Sequence, residues 1–265
     1  MDMPSPSIDI YLVRHAESCS NLLDDSSTDP LLSTTGILQC FMLREYLHSN
    51  PIKYDKVLSS SLMRTIITAM ITLCSIDTPN TNVIHVIPFV KTIKNESGRI
   101  QVNSVSNLKK KINRFKKLFY KSNRRIHFPR IDYQLLQKYE NDTSHHELSS
   151  KEQFDEYISH VSSSSLLVFT HKTFIMEMTH TDNAPKNTSV TLVSSYNNDN
   201  ASIRKYYNPK LLHSSTNKRI PYTARKHTVS LCRKRIARKK IGNNIMYKPV
   251  NSFLNGAITQ KRKYQ

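Results

Sequence analysis

The sequence predicts an α/β fold: a mostly parallel central sheet with helices on both faces, an α-helical insertion and a basic C-terminal tail. Three observations carry this reading. Through residues 1–200, short β-rich runs alternate with segments of helical periodicity, the pattern of a layered domain with a mostly parallel sheet. A long segment, about residues 98–163, separates the third strand-like run from the fourth. Finally, residues 201–265 carry 17 of the chain's 39 Lys and Arg and none of its 20 acids. A near-neutral body thus precedes a cationic appendage.

The elements follow in order. Residues 8–13, IDIYLV, suit a buried strand. Residues 36–48 read as a helix that ends before Asn50-Pro51. Val57-Leu58 forms a short strand running into Ser59-Ser60-Ser61, which supply candidate N-caps for the next helix. In that helix Ile66, Ala69, Met70 and Leu73 fall on one face. Residues 83–87, 165–170 and 189–195 read as three more strands. Within the insertion, Lys109–Arg130 holds ten cations and no acid, with Leu108, Ile112, Phe115 and Phe119 at helical spacing. This is a basic amphipathic helix, either packed on the body with a solvated cationic face or standing as an anion-facing lid. Asn141–Ser150 reads as a loop and Lys151–Val161 as a helix. Residues 1–200 are therefore expected to form one domain. Residues 201–265 are expected to be largely disordered, because they cannot bury enough apolar surface.

Composition excludes several classes. Hydrophobic residues make up 38% of the chain, low for a fully globular protein. No apolar run approaches the roughly 18 residues of a membrane span. The segment MDMPSPSIDI lacks the basic flank and apolar stretch of a signal peptide, so a cytosolic or nuclear protein without membrane contact is expected. Cys19, Cys40, Cys74 and Cys232 are scattered and read as reduced thiols rather than a zinc site or a disulfide framework.

The chemistry gathers at the end of the first strand, in Leu12-Val13-Arg14-His15-Ala16-Glu17-Ser18. The C-terminal end of a parallel strand is where an open α/β sheet binds ligands. The Arg-His-x-Glu-Ser string resembles the hallmark of the histidine phosphatase (phosphoglycerate-mutase-like) superfamily. Four further segments resemble that family in order: Asp29 to Gln39, Ser59 to Ala69, Leu167 to His171, and Asn187 to Val190. Ser33 stands where the family usually has Thr, and Lys172 where it usually has Gly.

The resemblance implies a phosphomonoester hydrolase in which His15 becomes transiently phosphorylated. Arg14 and Arg64 would grip phosphoryl oxygens through their planar forks, Asn21 would contact phosphate, and His171 would donate at a helix N-terminus. The family's proton donor is usually a Glu after the third strand. Glu96, the one acid between Asp77 and Asp132, is the candidate, with Glu17 more suited to positioning its neighbours. Lys172 would set a long cation beside the phosphate, either strengthening anion binding or narrowing access. No metal or cofactor is implied, because fixed cations stabilise the transferring group. The substrate could be a phosphorylated small molecule or a phosphoprotein. Two other readings stand beside hydrolysis: a phosphoglycerate-type mutase, and a nucleic-acid-associated protein with a vestigial phosphatase fold. The second is motivated by residues 201–265, which suit non-specific contact with nucleic acid or a nuclear address.

Overall fold

The computed structural model describes residues 7–23, 29–90, 103–120, 125–141, 149–196 and 202–208. Their order is β1 (Ile8–Arg14), α1 (Cys19–Leu23), α2 (Thr34–Ser49), β2 (Lys56–Ser60), α3 (Met63–Thr72), β3 (Ser75–Ile76), β4 (Val83–Ile87), α4 (Val105–Tyr120), β5 (Ile126–His127), β6 (Arg130–Asp132), α5 (Gln134–Asn141), α6 (Ser150–Ser159), β7 (Ser165–Thr170), α7 (Lys172–Thr179), β8 (Val190–Tyr196) and β9 (Ser202–Tyr207).

Seven strands form one sheet in the order β6-β4-β2-β7-β1-β8-β9. The five from β6 to β1 are parallel, while β8 runs antiparallel to both β1 and β9. The expected mostly parallel sheet is what the chain builds. Its centre, β7, is buried along its whole length, and its alternate residues supply two cores. Leu167 and Phe169 join Val13, Val57 and Val86 against α2, α3 and α4. Leu166 and Val168 join Ile10, Leu12 and Leu58 against α6 and α7. A strand buried on both faces needs apolar residues at every position, which is why SLLVFT is a continuous run rather than an alternating one.

The helix of the insertion is α4. Leu108, Ile112, Phe115 and Phe119 are all buried in the first core, with Phe119 stacked 6.3 Å from Phe41. Of the two readings of this helix, the one packed on the body with its cations outward is the arrangement found.

Several details depart from expectation. Ser59–Ser61 do not cap α3. Its N-cap is Leu62, which makes no side-chain capping bond, and the free amide of Met63 donates instead to Asp29 Oδ1 at 2.9 Å. Residue 141 closes α5 rather than opening a loop, and β6 adds an edge strand. Ser202–Tyr207, which the sequence places at the start of the tail, pair with β8, and Tyr207 is buried. The remainder of the tail, residues 209–265, lies outside the described residues. Cys40 and Cys74 are free and buried, and Cys232 lies outside the described residues. No helix among the described residues is long and apolar enough to cross a membrane.

Candidate active site

The site forms at the C-terminal ends of β1, β2 and β7, which lie side by side. Pairing of Arg14 with Thr170 brings the ends of β1 and β7 level, and the His15 amide then donates to the Thr170 carbonyl at 3.0 Å. The segment after β1 is fastened from three more directions. Ala16 N donates to Thr68 Oγ1 at 3.0 Å, Asn187 Nδ2 donates to the His15 carbonyl at 2.9 Å, and Thr188 N donates to the Arg14 carbonyl at 3.0 Å. Thr188 is wholly buried with φ 59°. A β-branched residue in the left-handed region costs on the order of 1–3 kcal/mol, and such strain gathers where surrounding structure enforces a functional geometry.

These ties bring the sequence-predicted residues together. The rings of His15 and His171 lie 5.2 Å apart, and both side chains are buried, as is Arg64. His15 Nδ1 donates to the Ala16 carbonyl at 2.8 Å. That bond fixes the tautomer and leaves Nε2 with its lone pair. His171 is the N-cap of α7, and its Nε2 is 3.0 Å from Ser60 Oγ. Arg14 donates through a terminal nitrogen to the Pro185 carbonyl at 2.6 Å. Among the described residues, Arg14 Nε and His171 Nδ1 are buried without any hydrogen-bond partner.

The electrostatics of the cluster are one-sided. Burial, then the guanidiniums of Arg64 and Arg14, hold His15 well below the ordinary histidine range, against the Ala16 hydrogen bond. Burial, Arg64, His15 and Arg14 do the same to His171. Burial pushes Arg64 down to about 10, with Asp29 acting in the opposite direction and Arg14 in the same one, and burial also lowers Arg14. Both guanidiniums remain charged at neutral pH while both imidazoles are neutral. The carboxylate that acts on Arg64, Asp29, is already engaged by Met63 N, by Asn103 Nδ2 at 2.7 Å and by Lys111 Nζ at 3.1 Å. Cations desolvated to this extent, with buried donors lacking acceptors, match a bound anion.

Glu17 takes the positioning role. Ser33 Oγ donates to its carboxylate at 2.6 Å, its amide donates to Gln39 Oε1 at 2.8 Å, and its carbonyl accepts from Ser33 N at 2.9 Å. Gly36 explains its own place in the pattern: a Cβ there would stand 2.0 Å from the Glu17 carbonyl oxygen. Asn21 is exposed. Its Oδ1 accepts from the amide and hydroxyl of Ser18, both at 2.9 Å, so that oxygen braces the turn into α1. Lys172 opens α7 and is exposed. Glu96 lies outside the described residues. Ser60, Thr68 and Asn187 lie within the recognised segments, yet their roles were not foreseen.

A cavity of about 530 Å³ lies elsewhere, lined by His85, Asp132, Lys138, Gln153 and Tyr157 among others. It contains none of Arg14, His15, Arg64 and His171, and is therefore separate from the cluster of buried histidines and guanidiniums. Among the described residues no group of three or more His, Cys, Asp or Glu is placed to hold a metal ion.

Comparison with known proteins agrees with the pattern of residues. The histidine phosphatase superfamily (branch 1) matches residues 10–83, the segment that holds Arg14, His15 and Arg64. No curated protein matches the chain in sequence. Among solved structures, the α-ribazole phosphatase of Shigella flexneri is 16% identical with a TM-score of 0.46, over 75% of this chain and 95% of its own. The phosphoserine phosphatase of Entamoeba histolytica is 20% identical with a TM-score of 0.40, over 70% and 90%. The protein histidine phosphatase SixA is 15% identical with a TM-score of 0.41, over 77% and 99%.

Proposed function

We propose that the chain, whose residues 10–83 match the histidine phosphatase superfamily (branch 1), hydrolyses phosphomonoesters through a phosphohistidine on His15. The observation that carries this reading is the buried pair of neutral histidines set among desolvated guanidiniums. Such a site needs an anion to pair its donors and holds its nucleophile ready. His15 Nε2 attacks phosphorus, an N–P bond forms and the ester P–O bond breaks, which splits one hard displacement into two easier ones. Arg14, Arg64 and His171 hold the phosphoryl oxygens. Arg14 Nε and His171 Nδ1, which lack protein acceptors, are the donors suited to them. Water then attacks the phosphohistidine, phosphate leaves, and His15 returns neutral. Turnover of a chromogenic aryl phosphate by the purified protein tests the proposal, and no turnover across a range of phosphomonoesters would overturn it.

The leaving alkoxide needs a proton, and we assign that role to Glu96. Replacing it with Gln should slow alkyl phosphates far more than aryl phosphates, whose leaving oxygen needs little protonation. Comparing kcat/KM for the two classes is the check. Equal slowing, or none, would place the acid elsewhere, with the segment from Asn141 to Glu147 next in line.

The depressed histidines also set a pH dependence. Because His15 titrates well below the ordinary value of 6.5, it stays neutral, and nucleophilic, through neutral pH and some way into acid. The acidic limb of kcat/KM attributable to the enzyme should therefore lie below the ordinary histidine range. Stability has the matching sign. Between the folded value and 6.5 the unfolded chain binds protons that the folded chain does not, so stability falls as pH drops through that window. Thermal melts at stepped pH should show this fall. A melting temperature that is flat, or that rises on acidification, would contradict the buried neutral state.

A further inference from the structure

The insertion's helix carries a surface that the phosphatase reading leaves unused. Lys109, Lys110, Lys111, Arg114 and Lys117 are all exposed on α4, and no acid occurs between Glu96 and Asp132. Lys111 is engaged with Asp29, and Lys109 sits 5.5 Å from the Tyr133 ring centroid. Lys110, Arg114 and Lys117 have no carboxylate within ion-pair distance among the described residues. Their i, i+4 and i+3 spacing sets like charges against one another, which weakens a helix by a few tenths of a kcal/mol per pair. A face that was merely solvated would gain from Glu at some of these positions.

We propose that this stripe is a docking surface for the phosphate backbone of duplex nucleic acid. At 1.5 Å per residue the stripe from Lys110 to Lys117 is about 10 Å long, the axial span of roughly three phosphates on one strand. The chain's own tail is not the occupant, because residues 209–265 contain no acid and would be repelled. The ammonium groups of Lys110 and Lys117 and the fork of Arg114 all suit phosphate oxygens, and a duplex supplies these at regular spacing with counterions to release. The aromatic residues of α4 are withdrawn: Phe115 and Phe119 are buried and Tyr120 is half-buried. Bases therefore have no exposed ring on this helix to stack upon, which favours a duplex over a single strand.

The test uses the full chain and its Lys110→Gln/Arg114→Gln/Lys117→Gln variant, with a labelled random-sequence duplex of about 20 base pairs between about 50 and 200 mM salt. Plotted as log K against log salt, the variant should lose about 2 to 3 units of slope, while aryl phosphate turnover stays unchanged. An unchanged slope and affinity would overturn the proposal and leave any binding to the tail. Tighter binding of a single strand, or displacement of the duplex by an equal charge of polyglutamate, would overturn the choice of occupant.

Discussion

His15→Ala is expected to abolish turnover while leaving the fold in place. The ties that hold this segment run through its backbone: His15 N to the Thr170 carbonyl and Asn187 Nδ2 to the His15 carbonyl. Both survive loss of the imidazole. Among the described residues the side chain itself makes one hydrogen bond, to Ala16, so the variant loses little besides packing at the strand end. Its circular dichroism should match the wild type. Rapid quenching without acid should trap label from a phosphate donor on the wild-type protein. That label should be acid-labile, as a phosphoramidate is, and absent from His15→Ala. Ordinary turnover in the variant would sink the assignment of the nucleophile and with it the mechanism.

Much of this site was legible because the chemistry sits in short local strings. Arg14-His15, Arg64 and His171 each follow a strand-like run, and strands that read as buried place their C-terminal ends together. The sequence could not show what joins those strings. The cap of α3 comes from Asp29, 34 residues before Met63, whereas capping rules look only at adjacent residues. Thr68 bonds Ala16 across the two strand ends, a contact that exists only once β1 and β2 are in one sheet. Asn21 matched a family pattern, but its Oδ1 is used on Ser18. Strands of two or three residues, such as β5 and β6, have no periodicity to read. β9 was hidden for another reason. It is an edge strand whose Arg204 and Lys205 look like tail, and charge on an edge strand is how proteins guard an open sheet edge.

The second large effect is expected at Arg64, and two substitutions separate its two roles. Arg64→Met fills a similar volume in a buried position, and Asp29 keeps Met63 N, Asn103 and Lys111 as partners, so the fold should persist. Removing one preorganised group that stabilises charge in the transition state costs on the order of a hundredfold or more in rate. Arg64 also does something a merely structural residue would not. After burial it is the largest influence lowering both His15 and His171. Without that charge both imidazoles should titrate higher, and the acidic limb of kcat/KM should move toward neutral pH. Arg64→Lys keeps a charge but loses the fork that grips two oxygens at once. Its rate should still fall steeply while its acidic limb stays close to the wild type. The measurement is the full pH profile of kcat/KM for all three proteins. Equal limbs in Arg64→Met and wild type would remove the electrostatic role, and an undiminished rate in both variants would remove Arg64 from the site altogether.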